Sequence, residues 1–326
     1  MKFSVSLGSC AVVAMLLVAF VLVAQAESQQ TSPLKRVGFV RLPAPSASNR
    51  AGPLELREGL RERGWIEGKN IVIESRDAEG DVKRLAEIAA EVVRLPVDVL
   101  VTSAVPTTLV LKKATQTIPI VVVATDPAGT GLVTPGGNVA AFDVLPADAA
   151  GRQLGVLREV VPGLSRMALV WNGSNPAGQL NARRVREAAQ AAGLQVIPLE
   201  VQDPGQIDAV LAGLRDKGAQ AIFLVSDPLF DRKRVSGLTT ATGLATICQE
   251  RNWADFGCVV TYGADVSSMF RQSASYVDRI LKGTRPADLP IGPPPRFELV
   301  INAGSAKAMG LTIPRSVLNR ADAVIP

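Results

Sequence analysis

Five short stretches place polar side chains just ahead of a proline or a helix start: Arg41-Leu42-Pro43, Ser103-Ala104-Val105-Pro106-Thr107-Thr108, Thr125-Asp126-Pro127, Asn172-Gly173-Ser174-Asn175-Pro176 and Ser226-Asp227-Pro228. Proline suits the first helical turn, where its missing N–H would be unpaired anyway. A Ser, Asp or Asn before it can cap the helix. Capping alone is a sufficient account of any one stretch. If the stretches converge, more chemistry becomes available. Free N–H groups and the positive dipole end of a helix suit a carboxylate. Ser103, Thr107, Thr108 and Thr125 add hydroxyl donors, and Arg41 can pair an acid. Two readings stand at Asp227: a helix cap, or a clamp on an ammonium or hydroxyl group. The stretch "CQERNWADFGCVVTYGAD" adds Glu250, Trp253, Phe256 and Tyr262. Its aromatic rings can either stack on a flat ligand or fill a core.

Catalysis is poorly served. The chain has no histidine, which removes the commonest general base, every Ser-His or Cys-His pair and the usual zinc ligand. "TPGGN" is not a phosphate-binding Walker loop, and no strand-linked GxGxxG is present. No metal, no cofactor and no enzymatic activity are expected. An exported α/β enzyme would need a Lys or carboxylate base instead.

The elements that position these stretches are legible as apolar runs rich in Val and Ile: "VGFV", "VDVLVTS", "IPIVVVAT", "MALVWN", "QVIPLEV" and "AIFLVS". Continuous rather than alternating apolar character predicts strands buried on both faces of a parallel sheet. Between them, Leu85, Ile88, Ala89, Val92 and Val93 keep the spacing of one helix face. Leu154, Leu157 and Val161 do the same, as do Val266, Met269, Phe270, Val277, Ile280 and Leu281. Strand–helix alternation predicts a doubly wound α/β fold. The pattern runs from about residue 36 to 145 and begins again near 166, which predicts two similar lobes. Ligands of open parallel sheets bind beyond the C-terminal strand ends, where the five polar stretches lie.

With 47% hydrophobic residues in 326, large cores can form. Aromatic residues are only 4%, and the net charge of +5 is dispersed rather than gathered in a Lys/Arg block. No nucleic-acid partner is expected. Lys2, an apolar run and Ala24-Gln25-Ala26 form the pattern of a signal peptide cleaved after Ala26, which predicts export to the periplasm. Cys248 and Cys258 would remain in the mature chain. In an oxidising compartment they either pair or stay as buried thiols.

An ordered set of segments adds a resemblance. "LREGLRERGWIEGKNIVIESRDAEGD" (56–81), "RLAEIAAEVVRLPVDVLVT" (84–102), "ATQTIPIVVVATDPAGTGLV" (114–133), "PGGNV" (135–139), "VPGLSRMALVWNGSNPAG" (161–178), "SDPLF" (226–230), "YVDRILKGTRPADLPI" (276–291) and "FELVINAGSAKAMGLTIPRSVLNRADAVI" (297–325) span the mature chain. Together they resemble the ABC-transporter substrate-binding protein family related to tryptophan/tyrosine-binding proteins. That resemblance implies a type I periplasmic binding protein-like fold: two doubly wound parallel-sheet α/β lobes with three crossovers and a ligand cleft between them. Lobe 1 would be 34–145 plus 264–290, and lobe 2 146–262 plus 296–326. It implies Pro43, Ser103, Thr125, Asn172, Asp227 and Tyr262 as cleft walls. Arg41, Thr107, Asp126 and Glu250 complete the expected ligand-binding set.

The expected function is a periplasmic solute-binding protein of an ABC importer. It would be a monomer that closes by a hinge on a small carboxylate-bearing ligand, amino-acid-like or aromatic. Its partner would be an ABC permease in the inner membrane. A ligand-binding co-receptor for a membrane signalling protein is the alternative. The chain departs from its family between "GTGLV" and "PGGNV", around Glu250 and Trp253, and at Arg41, all places where ligand identity would be set.

Overall fold

The computed structural model describes residues 34–42, 51–103, 105–227 and 230–326. The leader, Pro43 and Pro228 lie outside the described residues. In chain order the first sheet system contains β1 (Lys35–Arg41), α1 (Ala51–Arg61), β2 (Ile71–Asp77), α2 (Val82–Val92), β3 (Val99–Ser103), α3 (Val105–Ala114), β4 (Ile120–Thr125), α4 (Pro127–Thr130) and β5 (Val139–Asp143). The second contains α5 (Ala149–Val160), β6 (Arg166–Asn172), α6 (Pro176–Ala191), β7 (Gln195–Val201), α7 (Ile207–Leu211), β8 (Ala221–Leu224), α8 (Arg232–Thr242), β9 (Ala245–Cys248) and β10 (Val260–Ala264). After it come α9 (Val266–Leu281), β11 (Phe297–Asn302), α10 (Ala303–Ala308), α11 (Arg315–Leu318) and β12 (Ala323–Ile325).

Two sheets result. Lobe 1 has the order β2-β1-β3-β4-β5, with every pairing parallel. Lobe 2 has the order β12-β11-β10-β9-β8-β6-β7, parallel throughout except where β11 runs antiparallel to β10. That exception follows from chain path: β11 enters lobe 2 as the chain returns from lobe 1. The chain passes between lobes three times, after β5, after β10 and before β11. Helix α9 packs with α1 against the lobe 1 sheet through Met269, Phe270, Val277 and Ile280.

The apolar helix faces do what their spacing predicts. Leu85, Ile88, Ala89 and Val92 are buried against the opposite face of the lobe 1 sheet. Leu154 and Leu157 join the core of lobe 2, where helices α5 and α6 cover one sheet face. Each such Leu or Ile removed from water contributes about 1.5–3 kcal/mol. One run differs from expectation. "QVIPLEV" forms β7 at the sheet edge, and only Val201 of it is buried. Pro198 has no N–H for a ladder bond, which an edge strand tolerates and a central one does not.

Candidate functional site

The polar stretches gather at the C-terminal strand ends, most densely in lobe 2. Asn172 ends β6 and is 6% exposed; its Nδ2 donates to Asp227 Oδ1 at 2.9 Å. Asn175 Nδ2 donates to Asp227 Oδ2 at 2.7 Å. The Asn175 side-chain oxygen accepts from Ala177 N, capping α6 with Pro176 at its first turn. This is the local design read from "SNP". At Asp227 the structure bears on the cap of the next long helix alone. The following helix α8 starts only at Arg232, and Asp231 caps it by accepting from Arg234 N. Asp227 is therefore not the cap of α8. It is a buried carboxylate, 8% exposed, that accepts both asparagine amides.

Glu250 follows β9 and precedes the short 3-10 helix Arg251–Phe256, which its side chain does not cap. Burial pushes the Glu250 carboxyl up and the nearby Asp227 charge adds to the rise, while Arg232 and Asn252 pull it back. With 43% of its side chain exposed and Arg232 Nη2 at 3.7 Å, solvent access tempers that rise. Trp253 is 2% exposed and belongs to the core, with the Arg232 guanidinium 5.9 Å from its ring centroid. Cys248 and Cys258 form a disulfide across the base of this loop, Cα–Cα 6.6 Å. Tyr262 lies within β10, its ring 5.6 Å from that of Phe297 and packed on the lobe 2 core, and its carbonyl accepts from Gln153 Nε2.

In lobe 1 the corresponding strand ends carry Ser103 and Thr125, and Thr107 lies in the helix after β3. Ser103 ends β3 and is half-buried, and Thr107 is fully buried in the first turn of α3. Thr125 ends β4 opposite Asp143 in β5. Asp126, 3% exposed, receives Arg184 Nη1 from α6 of lobe 2 at 2.6 Å. Arg41, expected to pair a ligand acid, closes its guanidinium on Asp77 instead, Nε to Oδ1 2.5 Å and Nη2 to Oδ2 2.8 Å. The cause is register: both residues end their strands, directly opposite in the β1–β2 pair.

Three residues absent from the expected set also shape the site. Asn175 was signalled by its Asn-Pro cap. Arg184 and Gln249 carry no local signal. Gln249 Oε1 accepts from Asn181 at 2.8 Å between β9 and α6. Thr107 Oγ1, Ser226 Oγ and Gln249 Nε2 are buried without a hydrogen-bond partner among the described residues. Among those residues no group of His, Cys, Asp or Glu can hold a metal ion, and no helix is long and apolar enough to cross a membrane.

The architecture is that of type I periplasmic binding proteins. A conserved domain protein of Vibrio cholerae superposes with a TM-score of 0.81 at 26% identity, covering 89% of this chain and 99% of the other. A Streptococcus pneumonia ABC domain in complex with L-Trp gives 0.81 at 23% identity, covering 90% and 100%. In sequence, the chain is 22% identical over 262 residues to a tyrosine-binding protein of Clostridioides difficile, covering 78% of this chain and 75% of that protein. The family to which the sequence points is one of solute-binding proteins and not of enzymes. The family model for ABC transporter substrate binding proteins matches residues 46–325, and the chain belongs to that family.

Proposed function

We propose that this protein is the periplasmic solute-binding component of an ABC importer. It closes by a hinge on a small carboxylate-bearing ligand, amino-acid-like or aromatic, held between the lobes. The observation that carries the reading is the Asn172–Asp227–Asn175 cluster at the strand ends of lobe 2, with Asn172 and Asp227 buried and Asn175 half-buried. In this reading the Asp227 carboxylate would also accept from a ligand amine or hydroxyl. On the lobe 1 side, the N-terminus of α3 beside Ser103 and Thr107 would take the ligand carboxylate. Thr125, Asn172, Glu250 and Tyr262 would complete the walls together with Pro43. The proposed roles of Arg41 and Asp126 are indirect, because each side chain already holds an opposite charge of the protein.

Ligand would favour the closed arrangement by binding it better than the open one. The related tyrosine-binding protein and the L-Trp complex support an aromatic amino acid as the first ligand to try. The protein would act as a monomer, exported after cleavage at Ala26, and would deliver its ligand to an inner-membrane permease. Thermal-shift screening against amino acids, aromatic acids and sugars tests the ligand class. Stabilisation by L-tryptophan or L-tyrosine is expected. Stabilisation by neutral sugars alone would remove the carboxylate from the reading.

A further inference from the structure

Arg184 stands on α6 of lobe 2 but its guanidinium works on lobe 1. Nη1 donates to Asp126 Oδ2 at 2.6 Å and to the Leu145 carbonyl at 3.1 Å, just beyond β5 where the chain first leaves lobe 1. Asp126 is 3% exposed. At 2.6 Å and largely shielded from solvent, this ion pair between the lobes is screened little by salt, so the contact resists their separation. Nine residues earlier on the same helix, Asn175 caps α6 and donates to Asp227. Nine helical residues span about 13 Å at 1.5 Å each. Helix α6 is thus engaged at both points: on the proposed ligand wall and on the opposite lobe. Its buried residues Ala182, Val185 and Ala189 lock it to the lobe 2 core, so it moves with that lobe as a rod.

We propose that Arg184 is a positioning residue for ligand binding: its ion pair with Asp126 sets the spacing of the lobes, and α6 passes that setting to the Asn175–Asp227 wall. Arg184 touches no ligand in this account. It acts by raising the share of molecules whose two walls already stand at binding distance, and apparent affinity follows that share. Only the ligand arm of the test rests on the interlobe reading of the site.

The test uses the full mature protein with Arg184→Gln, Arg184→Lys and Asp126→Asn. Ligand-free small-angle X-ray scattering comes first and needs no ligand. Arg184→Gln and Asp126→Asn should both enlarge the radius of gyration, and Arg184→Lys, which keeps the charge, should stay near wild type. Titration calorimetry with L-tryptophan and L-tyrosine follows, where Arg184→Gln should weaken the amino acid that binds wild type by about five- to tenfold. An unchanged scattering profile for Arg184→Gln overturns the proposal, as does opening by only one of the two neutralising variants. Opening without any loss of affinity removes the positioning role. If neither amino acid binds wild type, the ligand class fails while the scattering arm still decides the strut.

Discussion

Asn175 holds Asp227 with one end of its side-chain amide and the first turn of α6 with the other. Its Nδ2 donates to Asp227 Oδ2 at 2.7 Å, and its Oδ1 accepts from Ala177 N at 3.0 Å. The loop after β6 and the loop after β8 are therefore tied through one side chain. Asp227→Ala would take the acceptor from the buried Asn172 amide and the half-buried Asn175 amide. Each orphaned donor costs about 1–3 kcal/mol, so the variant should unfold at a clearly lower temperature and lose its response to amino acids. Asp227→Asn keeps the shape and part of the bonding. It should lose the ligand response with a smaller fall in stability, which calorimetric melting with and without ligand would separate.

Gly263 permits a close approach that no other residue tolerates. A Cβ placed there would stand inside the van der Waals surface of the Gln249 carbonyl, which is backbone and cannot rotate away. Gln249 is in turn bonded to Asn181 of α6. Gly263→Ala should therefore push β9 and β10 apart beside the site. Overpacking of this kind costs about 1–3 kcal/mol. Denaturant unfolding measures that loss, and ligand titration should show weaker binding even where the protein remains folded. Equal affinity for wild type and variant would mean the Gln249 loop is not part of the site.

What the sequence discloses here follows from distance along the chain. The continuous apolar runs and the 3–4 spacing of Leu85, Ile88, Ala89 and Val92 are local, and the strands and helix they predict are present. The Asn175-Pro176 cap is local too. Arg41 is different: its partner Asp77 lies 36 residues away and becomes adjacent only through the β1–β2 register. Arg184 and Asp126 are 58 residues apart and on different lobes. Asp227 misleads for another reason. Ser-Asp-Pro has the composition of a cap, yet Asp231 four residues on has the geometry, and α8 starts there. The edge position of β7 is legible in one residue: Pro198 inside the run marks an edge strand, while the run's Val, Ile and Leu alone suggest a buried one.

The Cys248–Cys258 disulfide closes a short loop, ten residues apart in sequence, that carries Gln249, Glu250 and Trp253. Closing a loop of about this length removes roughly 2–4 kcal/mol of freedom from the unfolded chain. Cys248→Ala combined with Cys258→Ala should lower stability by about that amount in guanidinium unfolding. Thiol labelling of denatured, unreduced protein that lacks residues 1–26 should find no free cysteine. Full labelling without reductant would show that the pair is not oxidised.

Asp143 gives the site a pH dependence with a definite sign. Burial pushes its carboxyl up and the Asp126 charge adds to the rise, while the Leu145 N–H and Arg184 pull it back. The net shift is upward, so the folded protein binds a proton at Asp143 more readily than the unfolded chain does. Stability from this group is fully present below the unfolded value of about 3.9 and is lost as the pH rises through the raised folded value. Above that range the native state carries a charge it holds poorly. Asp143→Asn removes the titration while its oxygen still accepts from Leu145 N, the bond that Asp143 Oδ1 makes at 2.8 Å. The melting temperature of the variant relative to wild type should therefore increase from acid toward neutral pH. A difference that stays flat with pH would place the Asp143 carboxyl at its ordinary value. A difference that falls toward neutral pH would mean that Arg184 outweighs burial at this contact between the lobes.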